Sequence, residues 1–375
     1  MSRTIIDIHV LQTVPPSNLN RDDTGSPKTA VYGGVRRSRV SSQAWKHAVR
    51  DKFETELDDS DLGMRTRHVV EVLDRRIRER APELADRAEE LAKATFKAVG
   101  IKTSAAKKEE PEQSGYLVFL SSRQYDNLAD AAASAARAGG NLDKALKERD
   151  VKALADREHS IDVALFGRMV ADVSDINVEA AAQVAHAISV HAVDNEYDYF
   201  TAVDDHDEDE ERTGAGMIGT VEFNSATLYR YAAVDVDRLA ETLGSPEAAQ
   251  RAVEAFARTF VTSMPTGKIT TFGNRTLPDA VLVRLRETQP ISFVGAFEEP
   301  VTAGTSAGRL SQAAIRLAEY AVEVERKYDQ PPAASWVVHV GRATEALAGL
   351  GQDGTLDELV KGVGDEVAQR LAGTA

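Results

Sequence analysis

"TIIDIHVLQTVPP", residues 4–16, is the stretch on which the reading of the fold turns. Apolar and polar side chains alternate in it and β-branched residues dominate, which predicts a strand from Thr4 to Val14. Pro15-Pro16 is expected to end that strand, because proline offers no N–H to a ladder. The next ~25 residues have no clear period, which is long for a connection inside a compact domain and therefore suspect as functional. Ser41 or Ser42 then caps a helix, "SQAWKHAVRDKFETEL" (42–57). Helical spacing puts Trp45, Ala48, Val49 and Phe53 near one face and Gln43, Lys46 and Arg50 on another. A strand followed by an amphipathic helix makes the class α+β.

Farther along, residues from about Leu62 to Val173 read almost entirely as helix, most clearly in "HVVEVLDRRIRERAPELADRAEELAKATFKAVG" (68–100) and "DNLADAAASAARA" (126–138). A polar link, "KKEEPEQSG" (107–115), interrupts them, and "VEAAAQVAHAISVHAVD" (178–194) reads as a further helix. "EYDYFTAVDDHDEDEERTGAGMIGT" (196–220) has no helical period and ends in a glycine-rich return, as an extended arm or hairpin would. Beyond it, strands are expected in 221–235, 279–287 and 335–342, and helices in 245–264, 309–328 and 356–372. With the two insertions set aside, strand and helix alternate as in a ferredoxin-like or RNA-recognition-type sheet.

The charge is unevenly placed. The 375-residue chain has a formal net charge of −15, yet Asn18–Arg50 holds seven cations (Arg21, Lys28, Arg36, Arg37, Arg39, Lys46, Arg50) against Asp22 and Asp23. A basic window on an acidic body suits an anionic partner, although a solvated loop and helix face would read the same way. A loop leading into a helix N-terminus, with Gly33-Gly34 and Ser41-Ser42 nearby, favours phosphate. In "MPTGKITTFGNRTLPD" (264–279), Gly267-Lys268 is no nucleotide-binding loop, because Thr262 and Ile269 stand where that motif needs Gly and Ser/Thr. A turn presenting Lys268 and Arg275 to phosphate or to water fits better.

Composition excludes several classes. Hydrophobic residues make up 42% of the chain, so it folds around real cores, in two or three structural units. There are no cysteines, which removes disulfides and thiolate metal sites and suits a reducing cytoplasm. The N-terminal apolar run is too short for a signal peptide, and no stretch approaches the ~20 apolar residues of a membrane span. No catalytic residues, metal ligands or cofactor are assigned. His9, His186 and His191 are expected in the core, and the acidic run Asp204–Glu211 in a solvated loop.

Taken in order, "NLNRDD" (18–23), "YGGVRRSRVSSQAWKHAVR" (32–50), "DVALFGRM" (162–169), "AHAISVHAVDNEYDYFTAVDD" (185–205) and "EFNSATLYRYA" (222–232) resemble the CasC family, with a weaker likeness at "TGKITTFGNRTLPD" (266–279). That family is the repeated backbone subunit of the Type I-E CRISPR surveillance complex, Cascade. The resemblance implies a palm of the RNA-recognition-motif (ferredoxin-like) type in residues 1–60, 181–191 (the end of a palm helix) and 221–375. It also implies a helical fingers insertion at 61–180 and a thumb hairpin at 192–220. The function implied is a non-catalytic scaffold that polymerises along the spacer of a CRISPR RNA and presents it for pairing with target DNA. The partners implied are the guide, further copies head-to-tail, CasA, CasB, CasD and CasE, and DNA met through the guide, with no membrane.

Carried over by position, Arg21, Lys28, Ser41, Gln43, Lys46 and Arg50 are expected on the RNA backbone, Met169 against a base at the kink, and Phe200 with Thr201 in the thumb. Lys144, Lys147 and Lys152 are expected to face target DNA. Trp45 and His47 receive no RNA role. The physics suits the scaffold: pairing supplies sequence specificity, so the protein needs contacts to the RNA backbone rather than to base edges. Two other readings stand beside it: a metal-dependent endoribonuclease using the acidic run, and an assembly protein whose basic window meets an acidic partner protein.

Overall fold

The structure, a computed structural model, describes residues 3–105, 111–202, 217–302 and 308–373, with the backbone alone at 201, 202, 217 and 218. The acidic run 204–211 lies outside the described residues. The chain divides into two compact units. One is Met1–Lys52, Val184–Ala233 and Phe256–Val363; the other is Phe53–Gln183, Val234–Ala255 and Gly364–Ala375. The class is mixed α+β, with one large sheet.

Ten strands make that sheet among the described residues: β1 (Ile5–Ser17), β2 (Thr29–Tyr32), β3 (Val35–Val40), β4 (Ala182–Val184), β5 (Ala187–Ser189), β6 (Glu196–Ala202), β7 (Met217–Asp235), β8 (Ala280–Arg286), β9 (Ala334–His339) and β10 (Gln352–Asp353). Their order is β10-β9-β8-β1-β7-β5-β3-β2, and β4 and β6 also pair with β7. β8 runs antiparallel to both β1 and β9, and only the short β9–β10 pair is parallel among the registers described. Three helices of this unit matter below: α1 (Ser42–Phe53), the C-terminal part of α2 (Pro246–Thr262), and α3 (Arg309–Lys327).

The alternation in β1 is real, but both faces are covered. Ile5 and Leu11 join Tyr229, Leu282, Phe293 and Leu317 in a core beneath α3. Val14 joins Val40, Trp45, Leu228 and Met264 in a second core beneath α1. Burying each such side chain stabilises by about 1.5–3 kcal/mol. Asp7 and His9, on the α3 side, are therefore buried. Asp7 pairs with Arg286 at 2.6 Å and accepts from the Tyr231 hydroxyl at 2.8 Å. His9 stacks on Phe293 with ring centroids 4.3 Å apart, and burial holds its pKa well below the ordinary imidazole value.

Three expectations are corrected. β1 does not stop at Pro15-Pro16 but continues to Ser17. Its ladder with β8 ends at Leu11, and beyond that Thr13 N donates to Asp279 and Thr276 Oγ1 donates to the Thr13 carbonyl, so the prolines remove no bond of that ladder. The long loop contains the β2–β3 hairpin, turned by Gly33 and Gly34 at φ +58° and +77°. A Cβ on Gly33 would lie 1.6 Å from the Glu298 carbonyl oxygen, so that glycine serves the turn and its packing. Residues 178–194, and with them the palm helix end expected at 181–191, form strands β4 and β5 rather than a helix. Alanine spacing imitates a helical period there, but β5 finds a ladder on each side, with β3 and β7, and tertiary pairing overrides local propensity.

The second unit is largely helical, with Val69–Arg80, Ala88–Val99 and Ser122–Ala138 around a core of Leu73, Ile77, Leu91, Phe96, Tyr125 and Leu128. It is not purely so: Gly63–Thr66 pairs antiparallel with Val118–Ser121. Ser121 and Gln124 close a reciprocal capping box on the third of those helices. No helix among the described residues is long and apolar enough to cross a membrane.

Candidate nucleic-acid interface

The segment after β1 is held by asparagines. Asn18 donates from Nδ2 to the carbonyls of Gly25 and Glu222, at 2.9 and 3.0 Å. Asn20 accepts from the Ser41 amide at 2.9 Å, and its carbonyl accepts from Lys28 N at 2.8 Å. Asp22 folds the loop on itself by accepting from Thr24 N, Thr24 Oγ1 and Ser26 N. The bond from the Thr24 hydroxyl, more than any other contact, holds the Asp22 carboxyl below its usual pKa. The acidic pair of "NLNRDD" thus includes one loop organiser, and Arg21 beside it is exposed.

Gly267 presses against this loop. A Cβ there would come within 2.3 Å of the Leu19 carbonyl oxygen, so only glycine lets the backbone at 267 approach the loop this closely. Lys268 itself has a left-handed φ of +50°. From Lys28 the contacts pass to Arg39, whose amide donates to the Lys28 carbonyl at 2.9 Å, and on to His186 and the first turn of α1. Loop 18–25, Gly267-Lys268, Lys28, Arg39 and the start of α1 therefore form one connected surface.

The cations divide by burial. Arg21 and Arg36 are exposed, Lys28, Arg39, Lys46 and Arg50 are half-buried, and Arg37 is fully buried. Arg21, Lys28, Arg36 and Arg39 make no ion pair with a described residue. Burial lowers the Lys46 pKa, a shift that a neighbouring phosphate would oppose. Arg37 differs from the rest: it donates to the carbonyls of Tyr32, Ser189, Phe297 and Glu298, and so ties the hairpin to two other segments. Of the other expected contacts, Gln43 is exposed on α1, whereas Ser41 is buried and its hydroxyl accepts from Ala44 N as the helix cap. Trp45 packs beneath α1, its ring 3.7 Å from the guanidinium carbon of buried Arg230, which also lies over Phe260 of α2.

In the β6–β7 hairpin, Phe200 stands opposite Gly219, and its ring covers that glycine: a Cβ at 219 would meet Cζ at 2.4 Å. Tyr197 and Tyr199 are exposed, at 68% and 63%. Thr201 pairs by its backbone with Ile218.

Within the second unit, Met169 is 82% exposed. Gly167 at φ +77° turns the chain out of helix Ile161–Phe166, and buried Arg168 anchors the turn through Asp156 at 2.9 Å and the Ile176 carbonyl at 2.8 Å. Lys144 lies 3.8 Å from Glu148 and Lys152 lies 2.5 Å from Asp175, while Lys147 is exposed. Two of the three lysines expected to face DNA thus already have carboxylate neighbours.

Sequence reasoning gives no individual site role to Asn18, Asn20, Arg39 or His186. It placed all three histidines in the core, as holds for His9 and His191, but His186 is exposed. The available signal was its position next to β5, visible only once that segment is read as a strand. Among the described residues no group of three or more His, Asp or Glu could hold a metal ion.

Comparison with known proteins gives three results. The family described as CT1975-like protein matches residues 6–362. Among solved structures, a chain of a "CRISPR RNA-guided surveillance complex, pre-nicking" is 36% identical, with a TM-score of 0.82, over 96% of this chain and 100% of that one. A chain of a "CRISPR RNA-guided surveillance complex" is 32% identical, with a TM-score of 0.72, over 96% and 99%. A search among curated proteins returns no match.

Proposed function

The chain belongs to the CT1975-like family, the CasC-like proteins its motifs resemble, and from that premise we propose that it is the guide-binding backbone subunit of a Type I-E CRISPR surveillance complex. The observation that carries the reading is near-complete coverage, at 36% identity, of a chain from an RNA-guided surveillance complex. Several copies stack head-to-tail along the spacer of one CRISPR RNA in the cytoplasm, beside the other Cascade subunits, and present the guide to target DNA. Arg21, Lys28, Gln43, Lys46 and Arg50 hold phosphates. Met169, Phe200 and Thr201 act at the interruptions of the base stack, and Lys144, Lys147 and Lys152 face DNA. A surface of cations on a loop and a helix suits sequence-independent binding, because phosphates are common to every sequence.

The palm is of the RNA-recognition type. In its support, the central strands run β8-β1-β7-β5 in the sheet, and α1 and α2 follow β1 and β7 in the chain. This is the order of a split β-α-β pair. The subunit is non-catalytic: incubated with single-stranded RNA and magnesium or manganese, the protein is expected to leave the RNA intact. Cleavage that disappears when Asp204, Asp205 and Asp207 are changed to Ala would favour the endoribonuclease instead.

A further inference from the structure

His186 sits in the connected surface but has no assigned role. Its Nδ1 lies 3.3 Å from Arg39 Nη1 and 3.4 Å from the Ser42 amide. Both neighbours are obligate donors, so Nδ1 must be an acceptor, and the ring proton is on Nε2. No described residue accepts from Nε2, and the side chain is exposed. We infer that His186 is a neutral hydrogen-bond donor to a phosphate of the bound RNA, fixed in that tautomer by Arg39 and by the first amide of α1. This rests on the reading of the surface as an RNA interface.

The surroundings favour an anion and oppose a charged imidazole. Arg39 faces the ring from β3 and Lys28 from the segment leading to β2, and the first turn of α1 has no acidic side chain. Burial, then Arg39 and Lys28, lower the imidazole pKa. Protonation would also put a second N–H against Arg39 and Ser42. His186 thus adds a directed bond without adding charge, and a contact of that kind releases no counterion.

The test is binding of single-stranded RNA of arbitrary sequence to nucleic-acid-free protein across a salt series, for wild type, His186→Ala and His186→Gln, with folding checked by thermal melting. A hydrogen bond to a charged group predicts about a tenfold loss in His186→Ala. The slope of log affinity against log salt should stay at the wild-type value, and His186→Gln, which keeps an outward N–H, should recover most of the loss. Wild-type affinity in folded His186→Ala, no recovery in His186→Gln, or a slope shallower by ~0.7, the signature of a lost ionic phosphate contact, would each overturn the inference while leaving the RNA interface intact. If wild type itself binds no RNA, the interface reading fails, and His186 loses its ligand with it.

Discussion

Reversing Lys46 and Arg50 together to Glu is expected to weaken single-stranded RNA binding about a hundredfold, since two hydrogen bonds to charged phosphates are lost and each contributes at least ~1.4 kcal/mol. The two residues lie four positions apart on α1, on a side of the helix distinct from Trp45 and Val49, which are buried at 1% and 0% exposure. The loss should be equal for RNAs of unrelated sequence, because phosphates are common to all of them. The dependence of log affinity on log salt should flatten by ~1.4, or ~0.7 per phosphate contact on a single strand. Binding isotherms at four or five salt concentrations check this. A loss confined to one RNA sequence would mean that the helix reads bases.

Arg37→Met is expected to do the opposite: little to the salt dependence and much to stability. Arg37 is counted among the seven cations of the basic window, yet it is completely buried and satisfies four backbone carbonyls. Methionine fills the stem of that side chain but takes away the hydrogen bonds that Arg37 gives to those carbonyls. At about 1–3 kcal/mol for each buried group left unsatisfied, and with partial relaxation, a loss of about 3–5 kcal/mol is expected. Denaturant unfolding measures it. A variant as stable as wild type but weaker on RNA would return Arg37 to the interface.

These two residues show what the sequence could convey. Charge and spacing identified the window and the face of α1, because helical periodicity is local. They could not separate Arg37 from Arg36 or Arg39, since the acceptors of Arg37 lie as far as Glu298 in sequence. β1, β8, β9, α2 and α3 were legible for the same local reason: β-branched alternation or a 3.6-residue period. The β2–β3 hairpin carries its own signal in Gly33-Gly34, since both glycines have the positive φ of a tight turn. β4 and β5 were illegible because they are three-residue strands in an alanine-rich run, and only β3 and β7, distant in sequence, give β5 its conformation. His186 was obscured by the same misreading. The close approach of Gly267 to Leu19 was beyond sequence altogether, because it depends on how two loops 248 residues apart meet.

The most direct measurement of the central claim is the mass of the particle formed when nucleic-acid-free protein is added in excess to single-stranded RNAs of two unrelated sequences and increasing length. The scaffold reading predicts that mass rises in steps of one protein copy as the RNA lengthens, identically for both sequences, with the RNA recovered uncut. A single copy bound whatever the length, or assembly on only one of the two sequences, would contradict it.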